Sequence, residues 1–266
     1  YGMRLDPRID KLVREWLPRA DILVAITESV AREYAKLGVA PERIRRIPNG
    51  VDLDRFAMQV DRAAIRKQHG IPEDAFLYLA VGRNHPKKGY RDLLQAIRDL
   101  ADRSETGFAV AIAGAATDEL VTEAAHLGIS EHLHLLGPLG QTSLVEGLKL
   151  PGDDLVSLYR AADAFVFPSH IETFGIALVE AMAAGLPIIT TDGPGCRDII
   201  ESGQWGDMVP VGNTAALAKA MQHMMHAADH RRGSVDRSRE RATAFSWDHI
   251  VDQYVEVYRD TMAKTR

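Results

Sequence analysis

The sequence predicts an α/β protein, a doubly wound parallel sheet covered by helices. Short β-rich runs alternate with amphipathic helical stretches along the chain, and about six such βα units follow one another, enough for one doubly wound domain. Composition agrees: of 266 residues, 46% are hydrophobic and 26% charged, ample material for a buried core. The length exceeds one typical domain and falls short of two, so one whole domain and a partial one are expected.

In chain order, Asp21 to Thr27 reads as a strand, Glu28 to Leu37 as a helix and Ile44 to Ile47 as another short strand. These look like the closing elements of a preceding domain. Pro48-Asn49-Gly50-Val51-Asp52 is rich in turn-formers and is the expected hinge. The predicted strands of the main sheet are Ala75 to Val81, Phe108 to Ala113, His132 to Leu136, Asp163 to Phe167, Pro187 to Thr191 and Asp207 to Val209. Helical periods lie between them at Tyr90 to Ala101, Asp118 to Leu127, Asp154 to Ala161, Gly175 to Ala184 and Thr214 to Ala227. Gly137 to Gly152 is a longer polar connection, either a loop over a site or a surface insertion. Ser246 can cap a last helix on which Trp247, Ile250, Val251, Tyr254, Val255, Tyr258 and Met262 share one face. That face is expected to serve packing. The division expected is 1–52 as the tail of a first domain with the hinge, 53–245 as the main domain and 246–266 as a final helix.

The formal net charge of −5 argues against a protein that grips nucleic acid through a diffuse positive field. Any anion must be held locally. Residues 1–50 carry ten Lys/Arg against seven Asp/Glu, more simply a solvated face than a membrane patch. The single cysteine, Cys196, excludes an internal disulfide and a thiolate metal cluster, and fits a reducing cytoplasmic compartment. No apolar run approaches the ~20 residues of a membrane span. Peripheral contact at the inner membrane face is the secondary expectation. The start, Tyr-Gly-Met-Arg-Leu, has no signal-peptide core and reads as cut from something longer.

Two loops carry chemistry. After the strand ending at Val81 comes Gly82-Arg83-Asn84-His85-Pro86-Lys87-Lys88-Gly89. Ligands of α/β sheets bind beyond the carboxyl ends of the strands, and an arginine fork with lysine point charges there suits a diphosphate. The second loop is Ser169-His170-Ile171-Glu172-Thr173-Phe174-Gly175-Ile176, leading into a helix that bears Glu180. Backbone amides at Phe174, Gly175 and Ile176 would lie near a helix start, where unpaired N–H groups and the macrodipole favour an anion. Each loop alone also has a plainer reading, as a solvated basic turn and as acidic residues near a helix.

Taken together, the motifs Val81-Gly82-Arg83 with Lys88-Gly89, Glu172-x7-Glu180 with Phe174-Gly175, and Ala184-Gly185-Leu186-Pro187 change that balance. Asn49-Gly50-Val51-Asp52 and Phe245-Ser246-Trp247 belong to the same pattern. The sequence resembles the retaining glycosyltransferases of the GT-B type, family 4-like (group 1), in particular their C-terminal donor-binding half. The resemblance implies a Rossmann-like sheet with a small remnant of the N-terminal domain, and transfer of a sugar from a nucleotide-diphosphate donor without metal or other cofactor. It implies that Arg83 and Lys88 bind the diphosphate beside Gly82, that Glu172 lies by the donor sugar, and that Ser169, Thr173, Phe174, Gly175 and Ile176 line sugar and phosphate. Glu180 would accept from the ribose hydroxyls, and backbone near Gly137 and Pro138 would meet the base. The loop Gly193-Pro194-Gly195-Cys196-Arg197-Asp198 would close over the donor, and the final helix, 246–266, would cross back toward the N-terminal domain.

Several residues invite a role and are read as plain. Asp52-Leu53-Asp54 spells a metal-binding triplet but follows the hinge, and His223, His226 and His230 lack convincing metal spacing. Cys196 has no visible partners for nucleophilic work. Most of the acceptor-binding half has no counterpart here, so the acceptor, expected to be a polysaccharide, lipopolysaccharide or glycolipid, is unread. The alternatives are a donor-binding subunit completed by a partner, a non-catalytic binding module and, more distantly, a nucleotide-sugar epimerase.

Overall fold

The structure is a computed structural model that describes residues 7–145 and 148–264. It begins with α1 (Pro7–Trp16), β1 (Leu23–Ala25), α2 (Glu28–Lys36) and β2 (Ile44–Arg46). β1 and β2 pair in parallel, Leu23 opposite Ile44, as a small sheet apart from the main one. Then follow α3 (Leu53–Phe56), α4 (Arg62–Gln68), β3 (Phe76–Val81), α5 (Tyr90–Asp102), β4 (Phe108–Ala113), α6 (Val121–Leu127) and β5 (Leu133–Gly137). A hairpin of β6 (Gln141–Val145) and β7 (Leu148–Pro151) leads into α7 (Asp153–Ala161), β8 (Ala164–Phe167), α8 (Ile176–Ala183) and β9 (Ile188–Thr191). The chain closes with α9 (Cys196–Ile199), β10 (Asp207–Val209), α10 (Thr214–His226), α11 (Ala228–Thr243) and α12 (Trp247–Lys264).

The main sheet has the order β10-β9-β8-β3-β4-β5, and each neighbouring pair is parallel. The strand order reverses between β3 and β8, so a crevice opens at their carboxyl ends. Both faces are covered. Along β3, Leu77 and Leu79 enter one apolar cluster while Tyr78 and Ala80 enter the other, as the two-residue period of a strand requires. On α5 the buried positions Tyr90, Leu93, Leu94, Ile97 and Leu100 keep helical spacing and face the sheet.

Five helices among the described residues escape sequence reading: α1, α3, α4, α9 and α11. α3 and α4 are short, capped by Asp52 and Asp61, whose carboxylates accept from the amides of Arg55 at 3.2 Å and Ala64 at 3.1 Å. α11 shows no large apolar stripe because it buries Ser234, Ser238 and Ala242 at four-residue spacing, small enough for close packing against α8. The connection expected at Gly137 to Gly152 contains the β6–β7 hairpin.

The hinge and the start of α12 lie side by side. Val51 N–H donates to Phe245 C=O at 2.7 Å, and Val51 pairs with Ser246. Ser246 caps α12, its hydroxyl accepting from His249 N at 3.3 Å. On α12 Ile250 is buried, while Val251, Tyr258 and Met262 are 51–66% exposed.

Candidate functional site

A cleft of about 1030 Å³ opens at the β3–β8 switch point. Its walls come from the loop after β3, the loop after β8, the hinge and the segment after β5. Both loops singled out in the sequence therefore meet here, because they follow the two strands that flank the reversal. Gly89 locks them together: its φ is +66°, and a Cβ would stand 2.1 Å from the Pro168 carbonyl oxygen. His170 adds two links, its amide donating to Lys87 C=O at 2.8 Å and its Nε2 lying 2.5 Å from Asp92 Oδ2 on α5.

Lys88 and Glu172 form the central pair. Lys88 Nζ donates to Glu172 Oε1 at 2.6 Å, and Ser169 Oγ donates to the same oxygen at 2.8 Å. Oε2 receives no hydrogen bond from the described residues. Lys88 Nζ also stands 5.0 Å from the centre of the Phe167 ring, a cation–π contact. Arg83 is exposed at the rim, with no ion pair or side-chain hydrogen bond among the described residues. Its guanidinium is available to an anion.

Thr173 and Ile176 are exposed and, with Phe174 and Gly175, line the cleft. Gly175 precedes α8 with φ +90°. A Cβ there would point towards Leu178, Phe167 and Glu172, so glycine serves the backbone angle more than clearance for a phosphate. The unpaired amides of the α8 start are the partial positive charge of this wall.

Glu180 is not the surface residue of its plainer reading. It is 8% exposed, lines the cleft, and accepts from the Tyr159 hydroxyl at 2.9 Å. Burial pushes its carboxyl up to about 7, while the Tyr159 hydrogen bond pulls the other way. Ser169 is fully buried and acts on the site only through Glu172. Gly137 stands behind the wall, its amide donating to Thr117 Oγ1 at 3.2 Å and its carbonyl accepting from Gly114 N at 2.7 Å. Pro138 and Leu139 line the cleft instead.

The loop 193–198 does not line the cleft. It braces Glu172 from behind, Pro194 C=O accepting from Glu172 N at 2.9 Å. Burial pushes the Cys196 thiol up to about 12, which leaves it protonated and poorly nucleophilic. His85 caps the turn at Pro86–Lys88 by accepting from Lys87 N at 3.2 Å. Asp52 is spent on the α3 cap, and His230 pairs with Asp207 at 2.9 Å. Among the described residues no three His, Cys, Asp or Glu side chains are grouped to hold a metal ion.

Sequence reading missed Arg55, Tyr159 and Trp247 as parts of the site. Arg55 lines the cleft and reaches Asp153 Oδ1 at 2.7 Å; a residue just inside a capped helix gives no cue to that. Tyr159 falls on the apolar face of α7, which signals burial only. Trp247 lines the cleft with its ring against Gly50, a contact made by the chain's return to the hinge.

Comparison with known proteins shows the family. Residues 61–241 match the family described as glycosyl transferases group 1, and residues 1–55 match glycosyltransferase family 4. D-inositol 3-phosphate glycosyltransferase from Saccharomonospora viridis is 33% identical over 258 residues, 93% of this chain and 57% of that protein. The protein of the same name from Geodermatophilus obscurus is 35% identical, over 97% of this chain and 56% of its own. The chain thus spans just over half the length of these curated relatives. Among solved structures, Anabaena Alr3699/HepE in complex with UDP-glucose superposes with a TM-score of 0.83 at 20% identity, over 98% of this chain and 70% of that one. At that identity the likeness shows the fold, a GT-B Rossmann-like sheet. The chain belongs to the glycosyl transferases group 1 family.

Proposed function

We propose that this chain supplies the donor site of a retaining, metal-independent glycosyltransferase. The observation that carries the reading is the convergence of Arg83, Lys88 and the start of α8 on one cleft with Glu172 and Glu180. Cations and a helix start at one end suit a diphosphate; a buried carboxyl further along suits ribose hydroxyls. Residues 53–245 would hold the donor, and 1–52 would belong to the acceptor-side half.

In this reading the bond between the sugar's anomeric carbon and the diphosphate oxygen breaks, and its electron pair leaves on the nucleoside diphosphate. Arg83, Lys88 and the α8 amides stabilise that charge, the part a metal plays elsewhere. The acceptor hydroxyl forms its bond on the same face and gives its proton to the departing phosphate. Glu172 steadies the developing positive charge on the sugar and is not a covalent nucleophile. Lys88 must exchange its Glu172 partner, at least in part, for phosphate oxygen when donor enters.

The named relatives and the UDP-glucose neighbour make a uridine diphosphate sugar the first donor to try and a phosphorylated polyol the first acceptor. Polysaccharide, lipopolysaccharide and glycolipid acceptors come next. The test is calorimetric titration with UDP, GDP and ADP in EDTA, with Arg83→Ala alongside. One nucleotide should bind without metal and bind about tenfold or more weakly to the variant, the value of one charge-assisted hydrogen bond. Unchanged affinity in Arg83→Ala overturns the assignment.

A further inference from the structure

We infer that Tyr159 is a positioning residue for donor recognition, fixing Glu180 so that one carboxyl oxygen is held from behind while the other is kept for the ribose diol. The inference rests on the proposed placement of the donor's ribose at Glu180.

Tyr159 is fully buried near the end of α7 and does not line the cleft. Its ring is held by Phe56, edge-on at 5.7 Å, and by Phe165 at 5.7 Å, so its hydroxyl has a set place. That hydroxyl donates to Glu180 Oε2 at 2.9 Å. Burial drives the phenol's acidity far out of range, which keeps the O–H a donor. Glu180 Oε1 receives no hydrogen bond from the described residues. A carboxylate tethered at one oxygen has lost the rotation of its terminal group, so the second oxygen meets a hydroxyl pair without first being ordered. The tether also favours the ionised carboxyl, the form that accepts best from two adjacent hydroxyls.

The experiment compares Tyr159→Phe with the wild-type chain by calorimetry, using uridine diphosphate and its 2′,3′-dideoxy form. Guanosine diphosphate and its dideoxy form replace them should that nucleotide bind more tightly. The wild type should prefer the ribo form by about tenfold or more. Tyr159→Phe should lose about fivefold or more of that preference while its affinity for the dideoxy form stays within about twofold. In a Glu180→Gln background the same change should have no further effect on the preference. Equal weakening of both nucleotides, or an unchanged preference, assigns Tyr159 to packing alone and overturns the inference. A wild type that does not distinguish the two nucleotides removes the ribose from Glu180 and overturns the inference together with that part of the proposed function. Urea unfolding of each variant in the same buffer verifies that the folded fraction is being compared.

Discussion

Glu180 couples stability to pH because its environment changes so much on folding. Its carboxyl moves from an ordinary 4.5 to about 7 through burial. A raised acid binds a proton in the folded state that it has lost in the unfolded one, so stability is full below about pH 4.5 and falls as pH rises towards 7. The shift corresponds to roughly 3 kcal/mol at most. Glu180→Gln should therefore flatten the dependence of urea-unfolding free energy on pH between 5 and 8. An identical slope in wild type and variant would contradict the burial argument. In the same window, a ribose diol that favours the ionised form should release a proton on binding, measurable as a buffer-dependent binding enthalpy. Lys88→Met should weaken nucleoside diphosphate binding by about tenfold or more, because the methionine keeps the stem over Phe167 but removes the charge. At this scale the residues with a charged or helix-start signature, Arg83, Lys88 and Glu172, were visible in the sequence. Tyr159 was not, since a buried phenol and a buried phenyl give the same periodicity.

The elements show why loops were easier to read than some helices. The loops after β3 and β8 announce themselves through glycine, cations and acids at strand ends, and the topology brings those two strands together. Gly89→Ala should cost roughly 1–3 kcal/mol of stability and weaken donor binding, since both φ and the Pro168 carbonyl oppose a side chain. Thermal denaturation and titration of that variant give both quantities. α11 stayed hidden because its buried stripe is serine and alanine. α4 stayed hidden too, although it places Arg66 where it matters: the residue is 5% exposed and its guanidinium bonds the carbonyls of Glu73, Ala75 and Ala161 and the Asp163 carboxylate at 2.7–3.1 Å. These bonds tie the start of β3 to the start of β8, at the end of the sheet opposite the cleft. Arg66→Met should lower unfolding free energy by about 1–3 kcal/mol, because the carbonyls of Glu73, Ala75 and Ala161 lose a buried donor while Asp163 keeps Arg62 and the Leu77 amide. Nucleotide affinity of the folded fraction should stay unchanged, which separates this support from the site.

For the whole molecule, alternation of strand and helix was enough to predict a doubly wound sheet and to put the two chemical loops at the carboxyl ends of strands; that those two strands are neighbours at the reversal of strand order needed the folded chain. What alternation could not give is the pairing of the hinge with the start of α12, because Val51 and Ser246 lie far apart in sequence and meet only in the folded chain. Nor did it show that the apolar faces of α1 and α12 stay open. Ile9, Leu12 and Trp16 are 50–57% exposed, and Val251, Tyr258 and Met262 are as open or more so. Exposed apolar groups of this size favour association. Light scattering of Tyr258→Lys with Met262→Lys should show less concentration-dependent self-association than wild type, with nucleotide affinity retained. Among the described residues no helix is long and apolar enough to cross a membrane.

The central claim is that the cleft between β3 and β8 is a nucleotide-sugar site. A crystal structure of the chain with the nucleoside diphosphate that binds most tightly tests it most directly. The account predicts the diphosphate against Arg83, Lys88 and the amides at the start of α8, with the ribose hydroxyls on Glu180 and the base beside Pro138 and Leu139. A nucleotide seated elsewhere, or one whose phosphates lie away from Arg83 and Lys88, would contradict it.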